Sequence, residues 1–312
     1  MEKNYSSEKG LSENDVKKLC TLLLKHKLKI IADISPRSLV MFKQSNYFAL
    51  AKLLHIFAYR VDYGLSITEI IKLAKKMPVV VNASTMNVED IKKIAKVNHH
   101  VFAIHNFYPR PETGLDPFSF MRKTKAIKVL GLPVFAFISS DTNRRGPLHA
   151  GLPSIELLRN VKPHVSYIAL AKAKIIDGVF VGDLGISEKE YHFIKDYQNK
   201  EIIPLKVQLQ NKKLIGKVFT ARIDSPINLV RIKESREYAT VGHKIKPNNC
   251  VKRSKGSITM DNQNYLRYSG EIMITKTDLP LDKKVNVIGK ITSSSIRLLD
   301  FISGGQKIIF YV

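Results

Sequence analysis

From residue 28 to residue 183 the chain alternates between short apolar segments and longer segments with helical periodicity. Each short segment is a near-continuous apolar run, which is typical of strands buried on both faces. The longer segments have apolar residues at helical spacing. This alternation predicts an α/β fold with a parallel sheet and crossover helices. The predicted strands lie in residues 28–35, 58–64, 78–84, 100–106, 133–140 and 178–183, and the predicted helices in residues 12–27, 47–57, 66–77, 87–97, 118–131 and 154–176.

Polar residues stand at the carboxyl ends of all six predicted strands: Asp33, Asp62, Asn82, His105 with Asn106, Ser139 and Asp183. Active sites of TIM-type barrels lie at this rim. An open doubly wound sheet uses strand ends only near its switch point, so the pattern favours a TIM-type (β/α) barrel. Such a barrel has eight strands, and six are visible here. Either the barrel is incomplete or two strands lie elsewhere.

The pattern changes near residue 200, where short alternating segments separated by turn residues begin. These segments predict a small β-rich domain. We therefore expect a (β/α)-barrel domain over residues 1–200, incomplete at its N-terminus, and a β-rich domain over residues 201–312. The barrel domain opens with a helix that Ser12 or Asn14 could cap.

The chain carries 51 Lys and Arg against 27 Asp and Glu, a net charge of +24. A basic balance can indicate nucleic acid. The excess is mostly lysine spread along the whole chain, whereas nucleic-acid sites concentrate charge and use arginine for base edges. We therefore expect no nucleic-acid partner, although a phosphorylated ligand would suit a positive field. No apolar run of about 18 residues predicts a membrane span. The oligomeric state stays open.

The two cysteines, Cys20 and Cys250, are far apart in the sequence, and the N-terminal segment has no apolar signal-peptide core. Both features favour a reducing cytoplasm.

The candidate catalytic residues are three carboxylates at the rim. Asp33 and Asp62 end adjacent strands, and Glu112 lies in the loop after a third strand. Each could instead cap a helix or pair with Arg37, Arg60 or Arg110, because an unpaired buried charge is very costly. Hydrolysis of a glycosidic bond needs two carboxyl groups several ångströms apart, one of them held protonated. The rim can supply both.

The stretch "HNFYPRPETGLD", residues 105–116, follows a buried strand and combines two prolines with many polar side chains. We expect His105 and Asn106 to point into the mouth of the barrel and to bind substrate together with Arg110. The prolines stiffen the loop, which lowers the entropy lost on binding a ligand. The alternative is a structural turn in which Arg110 pairs with Glu112.

Four further residues are candidates for substrate binding. Arg144 and Arg145 follow the fifth strand and could clamp a phosphate or carboxylate, although paired arginines are often solvated surface. Asp183 could cap a helix, bind a sugar hydroxyl or orient His105. Asn82 ends the third strand. Neither a nucleophile elbow nor a convincing set of metal ligands is present, so we expect no metal and no cofactor.

Several long motifs resemble those of the bacterial 6-phospho-N-acetylmuramidases. In order, they are "ADISPRSL", "RVDYG", "NASTMNVED", "HNFYPRPETGLD", "RRGPLHAGLPSIE" and "VFVGDLGISE", followed in the β-rich part by "ARIDSPINLVRIKESRE", "GSITMDNQNYLRYSGEIMITKTDLPLDKKVNVIGKI" and "LDFISGG". The resemblance covers residues 15–312. It implies a TIM-type barrel, a cyclophilin-like C-terminal domain, and a cytoplasmic enzyme that cleaves the β-1,4 bond of 6-phospho-N-acetylmuramyl-N-acetylglucosamine in peptidoglycan recycling. It implies no cofactor.

The sequence departs from that family at its start. Members resemble one another in two initial strands, one ending in a Tyr-Pro segment and the next near a Thr-Ser pair, and neither is found before the helix that begins near Ser12. Their loss would account for the count of six. The alternative to an active hydrolase is therefore a catalytically dead or truncated remnant that binds sugar phosphate.

Overall fold

The computed structural model describes residues 11–61, 64–98, 100–239 and 244–312, without the side chains of residues 237–239. The chain divides into two compact units, Met1–Asn160 with Ala173–Ile186 and Val161–Lys172 with Ser187–Val312. The domain boundary between residues 200 and 201 stays a prediction. Two helices that precede this boundary in the chain are grouped with the second unit.

A parallel, curled half-barrel sheet forms the centre of the first unit, with six strands among the described residues. The strands are β1 (Ile30–Ile34), β2 (Ile56–Val61), β3 (Val79–Asn82), β4 (Val101–Ile104), β5 (Val134–Ile138) and β6 (Gly178–Val181). They are hydrogen-bonded in chain order, each parallel to the next. All six match predicted strands, and the predicted α/β architecture is confirmed.

Helices alternate with the strands of this sheet. They are α1 (Glu13–Lys25), α2 (Pro36–Met41), α3 (Tyr47–Leu54), α4 (Ile67–Ala74), α5 (Val88–Ala95) and α6 (Pro117–Lys128). Ser12 caps α1 in a reciprocal capping box with Asp15, which confirms one of the two caps predicted for it. Ser66 and Glu69 form the same motif at the start of α4. Local side chains therefore fix where these helices begin.

The two faces of the sheet differ in character because successive side chains of a strand point to opposite sides. Val79 and Val81 of β3 belong to the large apolar core shared with the helices. Val80 lies on the other face, in a smaller cluster with Ala58 and Ile104. We call this second face the inner face, and the candidate site lies on it.

The prediction of one long helix over residues 154–176 is wrong for the first half of that segment. A short 3₁₀ turn spans Glu156–Leu158, and α7 begins only at Pro163 and ends at Lys172. Proline lacks a backbone N–H and disfavours the helical conformation of the preceding residue, so it is tolerated at the start of a helix but not inside one.

The second unit contains a mixed sheet, which confirms the predicted β-rich character. Its elements are α7, α8 (Glu188–Lys200), β7 (Ile202–Leu209), β8 (Val218–Thr220), β9 (Leu229–Arg231), α9 (Lys233–Ala239), β10 (Ser257–Asp261), β11 (Ile272–Thr275), β12 (Val285–Ile291) and β13 (Lys307–Tyr311). The strand order is β8-β13-β7-β12-β10-β11-β9, with β13 parallel to β7 and the other pairs antiparallel.

The core of the second unit joins its sheet to α7 and α8. Val165 and Ile168 of α7 and Tyr197 of α8 pack in one cluster with strand residues such as Ile203 and Phe310. Both cysteines are free. In the part of the chain that the structure describes, the helices are too short or too polar to cross a bilayer.

Candidate functional site

The carboxyl ends of the six parallel strands lie along one edge of the first sheet. Asp33 lies in β1, Asn82 ends β3, and Asn106 follows β4. Asp62, the second carboxylate predicted to be catalytic, directly follows β2 and lies outside the described residues.

An ion pair on the inner face brings two of the predicted residues together. The Arg60 guanidinium donates through Nη1 to Oδ1 and Oδ2 of Asp33, at 2.9 and 3.1 Å. Its Nη2 donates to Oδ1 of Asn106. The Arg60 side chain is only 8% exposed, whereas that of Asp33 is 64% exposed. A buried arginine therefore holds the carboxylate of Asp33 while leaving it accessible to a ligand.

A cavity of about 300 Å³ opens beside this pair. Its walls are Lys29, Ile31, Asp33, Arg60, Ile104, Phe107, Phe137 and Phe180. Three of these side chains are thus aromatic and three are charged. An apolar hollow with a few convergent polar groups is the usual form of a small-molecule site.

The stretch 105–116 is held by a second ion pair, formed by Glu156 and Arg159. Arg159 donates to the carbonyl oxygens of Tyr108, Arg110 and Gly151 at 2.8–3.1 Å, and to both carboxylate oxygens of Glu156 at 2.6 Å.

Glu156 in turn accepts from the backbone N–H groups of Glu112 and Gly114. The Arg159 guanidinium and these two amides lower the pKa of Glu156 to about 2. A buried arginine and its carboxylate therefore satisfy backbone polar groups of this loop and hold its conformation.

His105 does not reach the cavity in this structure. The residue is fully buried, with Nδ1 3.2 Å from the Ser84 hydroxyl and Nε2 2.9 Å from the Thr124 hydroxyl. Burial, with a smaller effect of Lys123, lowers its pKa to about 3. The expectation that His105 and Asn106 both point into the mouth conflicts with strand alternation, since consecutive side chains face opposite sides.

Asn106 is the member of that pair on the inner face. The Ser84 hydroxyl, which contacts His105, also accepts from the backbone N–H of Asn106 at 2.9 Å. His105 is thus linked through Ser84 to the residue that bonds Arg60.

Arg144 and Arg145 have different surroundings. The Arg144 guanidinium donates to the carbonyl oxygen of Ser140 and to Oδ1 of Asn160, at 3.2 and 3.3 Å. Arg145 is an exposed residue, and its guanidinium lies over the Phe107 ring, 5.8 Å from the ring centroid. Arg145 therefore stands beside a residue that lines the cavity.

Asp183 shapes the loop that carries these arginines. Its carboxylate accepts from the backbone N–H groups of Ser140 and Arg145, at 2.7 and 3.0 Å. Two of the roles considered for it from the sequence have no support among the described contacts, because Ser187 caps the next helix, α8, and His105 contacts Ser84 and Thr124 instead.

The remaining predicted residues lie away from the walls of this cavity. Asn82 is buried and accepts from the backbone N–H groups of Ser84 and Thr85, and it lines a separate hollow. Arg110 and Glu112 are exposed in the loop, where Glu112 has a positive φ of 69°.

Sequence reasoning missed several residues that build this site. Arg60 was considered only as one possible partner of Asp33, and Arg159 was overlooked. A cationic residue inside an apolar strand or helix-like segment is a usable signal, because a buried charge must be paired. The phenylalanines of the inner face give no such signal, since a phenylalanine in an apolar strand predicts only that it packs in the hydrophobic core. Among the described residues, no group of three or more His, Cys, Asp or Glu side chains is arranged to hold a metal ion.

Comparisons with known proteins agree with the motif resemblance. A family model described as 6-phospho-N-acetylmuramidase, N-terminal, matches residues 5–196, and one described as 6-phospho-N-acetylmuramidase, C-terminal, matches residues 203–311. No curated protein matches the chain.

Two solved structures resemble the whole chain. A conserved protein of unknown function from Enterococcus faecalis is 30% identical with a TM-score of 0.84, over 96% of this chain and 84% of that one. An uncharacterized B. cereus protein is 23% identical with a TM-score of 0.76, over 97% of this chain and 89% of that one. The second likeness concerns the fold alone.

Proposed function

Because the chain belongs to the 6-phospho-N-acetylmuramidase family, we propose that it is a glycosidase that hydrolyses the β-1,4 bond of 6-phospho-N-acetylmuramyl-N-acetylglucosamine. The reaction would consume a phosphorylated fragment of recycled peptidoglycan, and we place it in the cytoplasm. The free cysteines agree with a reducing compartment.

The proposal extends to the fold. The half-barrel sheet corresponds to six strands of a TIM-type barrel, whose chemistry takes place at the carboxyl ends of the strands. The mixed sheet of the second unit corresponds to the family's cyclophilin-like domain. Both assignments rest on the family match and on the order of the strands.

One observation supports the hydrolase most strongly: the exposed carboxylate of Asp33 faces a cavity and is held by Arg60. A glycosidase needs a carboxylate fixed beside the anomeric carbon of its substrate. The two hydrogen bonds from Nη1 of Arg60 restrict the position of Asp33 before a ligand arrives, which lowers the entropy lost on reaching a reactive geometry.

Asp33 takes the role of the base that activates water or of the nucleophile, because Arg60 holds its carboxylate beside the cavity. The general acid is then Asp62 or Glu112, the other two candidates. A separation of about 5–5.5 Å between the two carboxyl groups would give retention of configuration, and about 6.5–9.5 Å would give inversion.

The substrate would be oriented by groups around the same cavity. Asn106 offers its amide beside Arg60. The candidates for binding the anionic groups of the sugar remain Arg110, Arg144 and Arg145. The neighbouring loops are held by hydrogen bonds with Asn82, His105 and Asp183.

The test is release of N-acetylglucosamine from the phosphorylated disaccharide by the wild type and by Asp33→Asn. We expect the variant to lose at least about a hundredfold in kcat, the usual contribution of an acid–base group. Asp196→Asn is the matched control, since the Asp196 side chain is 50% exposed on α8 and, among the described contacts, pairs with Lys200. Full activity of Asp33→Asn would remove Asp33 from the mechanism.

A further inference from the structure

Six phenylalanine rings form a continuous chain across the inner face of the first sheet. In order they are Phe57, Phe102, Phe135, Phe180, Phe137 and Phe107, with neighbouring centroids 5.2–6.4 Å apart. The last three line the cavity that holds Asp33, and the Phe180 residue is 37% exposed. Rings left open to a cavity can bind a ligand that presents a flat apolar surface.

A pyranose ring is such a ligand, because its axial C–H groups form an apolar face while its hydroxyls point outwards. Phe137 stands edge-on to Phe107 and tilted against Phe180. The three rings therefore make a wall with a corner rather than a flat surface. Asp33 and Arg60 belong to the same cavity, where they can meet the polar edge of a sugar.

The charges around this wall favour an anionic sugar. Arg60 neutralises Asp33, which leaves Lys29 and Arg145 as cations associated with the same row of rings. A phosphate monoester carries about −1.5 to −2 charges at neutral pH, so it gains from such a field.

The two cations lie at different ends of the sheet. Lys29 is over Phe57, 4.5 Å from its centroid, at the amino ends of the strands. Arg145 is over Phe107, which follows β4 at the carboxyl ends. Asp33 is four residue steps of extended chain from Lys29, roughly 13 Å. Asp33 and Arg145 therefore share the carboxyl edge of the sheet, and Lys29 does not.

Arg145 is better placed for a ligand than Arg144. Asp183 fixes the backbone of Arg145 through its N–H, and the guanidinium packs on the Phe107 ring. The Arg144 guanidinium already donates to Ser140 and Asn160. A ligand phosphate can accept from Arg145 without breaking a hydrogen bond of that guanidinium among the contacts that the structure describes.

We propose that Phe107, Phe137 and Phe180 form the stacking wall of a subsite for one pyranose ring, and that Arg145 selects a 6-phosphate on that ring. The assignment rests on the proposed function and deepens it. It makes Arg145 a specificity-determining residue, distinct from the groups that cleave the bond.

The experiment measures binding by titration calorimetry with two probes, N-acetylmuramic acid 6-phosphate and N-acetylmuramic acid. Both carry the lactyl carboxylate, so the difference between them isolates the phosphate. The variants are Arg145→Ala, Phe180→Leu and Lys29→Ala, with Arg122→Ala as the control. Arg122 is exposed on α6, outside the walls of the cavity.

Arg145→Ala is expected to weaken binding of the phosphorylated probe about ten- to a hundredfold, as loss of a charged hydrogen bond does, and to leave binding of the other probe nearly unchanged. Phe180→Leu should weaken both probes alike, because the ring stacks on the sugar that they share. Arg122→Ala should bind like the wild type.

The assignment is overturned if Arg145→Ala affects the two probes equally or affects neither. It is also overturned if Lys29→Ala, rather than Arg145→Ala, removes the preference for phosphate. An enzyme that releases N-acetylglucosamine but shows one of these patterns keeps its proposed function and loses only this subsite. A wild type that neither binds the probes nor cleaves the disaccharide contradicts both.

Discussion

Replacing Arg159 by alanine tests whether a buried ion pair holds the loop at residues 105–116. The Arg159 side chain is 4% exposed and makes five hydrogen bonds, two to Glu156 and three to backbone carbonyl oxygens. The substitution leaves the carboxylate of Glu156, whose side chain is 27% exposed, without its guanidinium.

The cost follows from these contacts. Breaking a buried ion pair by removing one partner costs about 3–5 kcal/mol. The three carbonyl oxygens add to this, although water can replace part of what they lose. We therefore expect the free energy of unfolding to fall by about 3–5 kcal/mol.

The assay is denaturant unfolding at neutral pH, with a shift of the midpoint and an unchanged slope. Arg122→Ala is the control, because an exposed arginine on α6 should change the free energy of unfolding by less than about 0.5 kcal/mol. Arg159→Lys should recover only part of the loss, since an ammonium group cannot reproduce the guanidinium fork.

Acid unfolding gives a second readout. The pKa of Glu156 is lowered from 4.5 to about 2 in the folded protein. The stabilisation, about 3 kcal/mol, is thus present above pH 4.5 and is lost as the pH falls towards 2. In Arg159→Ala this loss should be much smaller. A variant that unfolds within 1 kcal/mol of the wild type, with the same acid dependence, would show that the pair does not hold the loop.

Two further predictions concern single groups. Burial, followed by the nearby Glu271 carboxylate, raises the pKa of Asp261 from 3.8 to about 7. Because Asp261 loses its proton at a lower pH in the unfolded chain, the free energy of unfolding should fall by up to about 4 kcal/mol between pH 4 and pH 7. Thermal unfolding across this pH range measures the effect, and Asp261→Asn should remove it. Gly151 has a φ of 82°, and a Cβ there would lie 2.7 Å from the Ser139 hydroxyl. Gly151→Ala should therefore lower the free energy of unfolding by more than about 1 kcal/mol, as measured by denaturant unfolding. Gly131→Ala should lower it by less, because Gly131 has a similar φ of 76° but a Cβ there would have no atom within 4 Å. Equal losses in the two variants would exclude a steric contribution at Gly151.

The strands of the first sheet could be predicted from the sequence because each is a local apolar run between turn or cap residues. The helix over residues 154–176 could not be placed as well. Its apolar periodicity continues through Pro163, but a proline can begin a helix and is not tolerated inside one, so α7 begins there.

The candidate site depends on contacts between residues far apart in the sequence, which local patterns do not predict. The sequence predicted Asp33 at a strand end, and the structure places it in a cavity. It could not reveal that Arg60 pairs with Asp33 and Asn106 at once, because those partners are 27 and 46 residues away. The polarity of His105 predicts a place in the mouth of the barrel, but alternation along β4 turns its side chain towards Thr124 of α6.

The most direct test of the account is the kcat/KM of the wild-type protein for 6-phospho-N-acetylmuramyl-N-acetylglucosamine and for the same disaccharide without phosphate. Release of N-acetylglucosamine from the phosphorylated form, at least about tenfold faster than from the other, is the result that we predict. Absence of cleavage of both disaccharides by a folded protein would contradict the account.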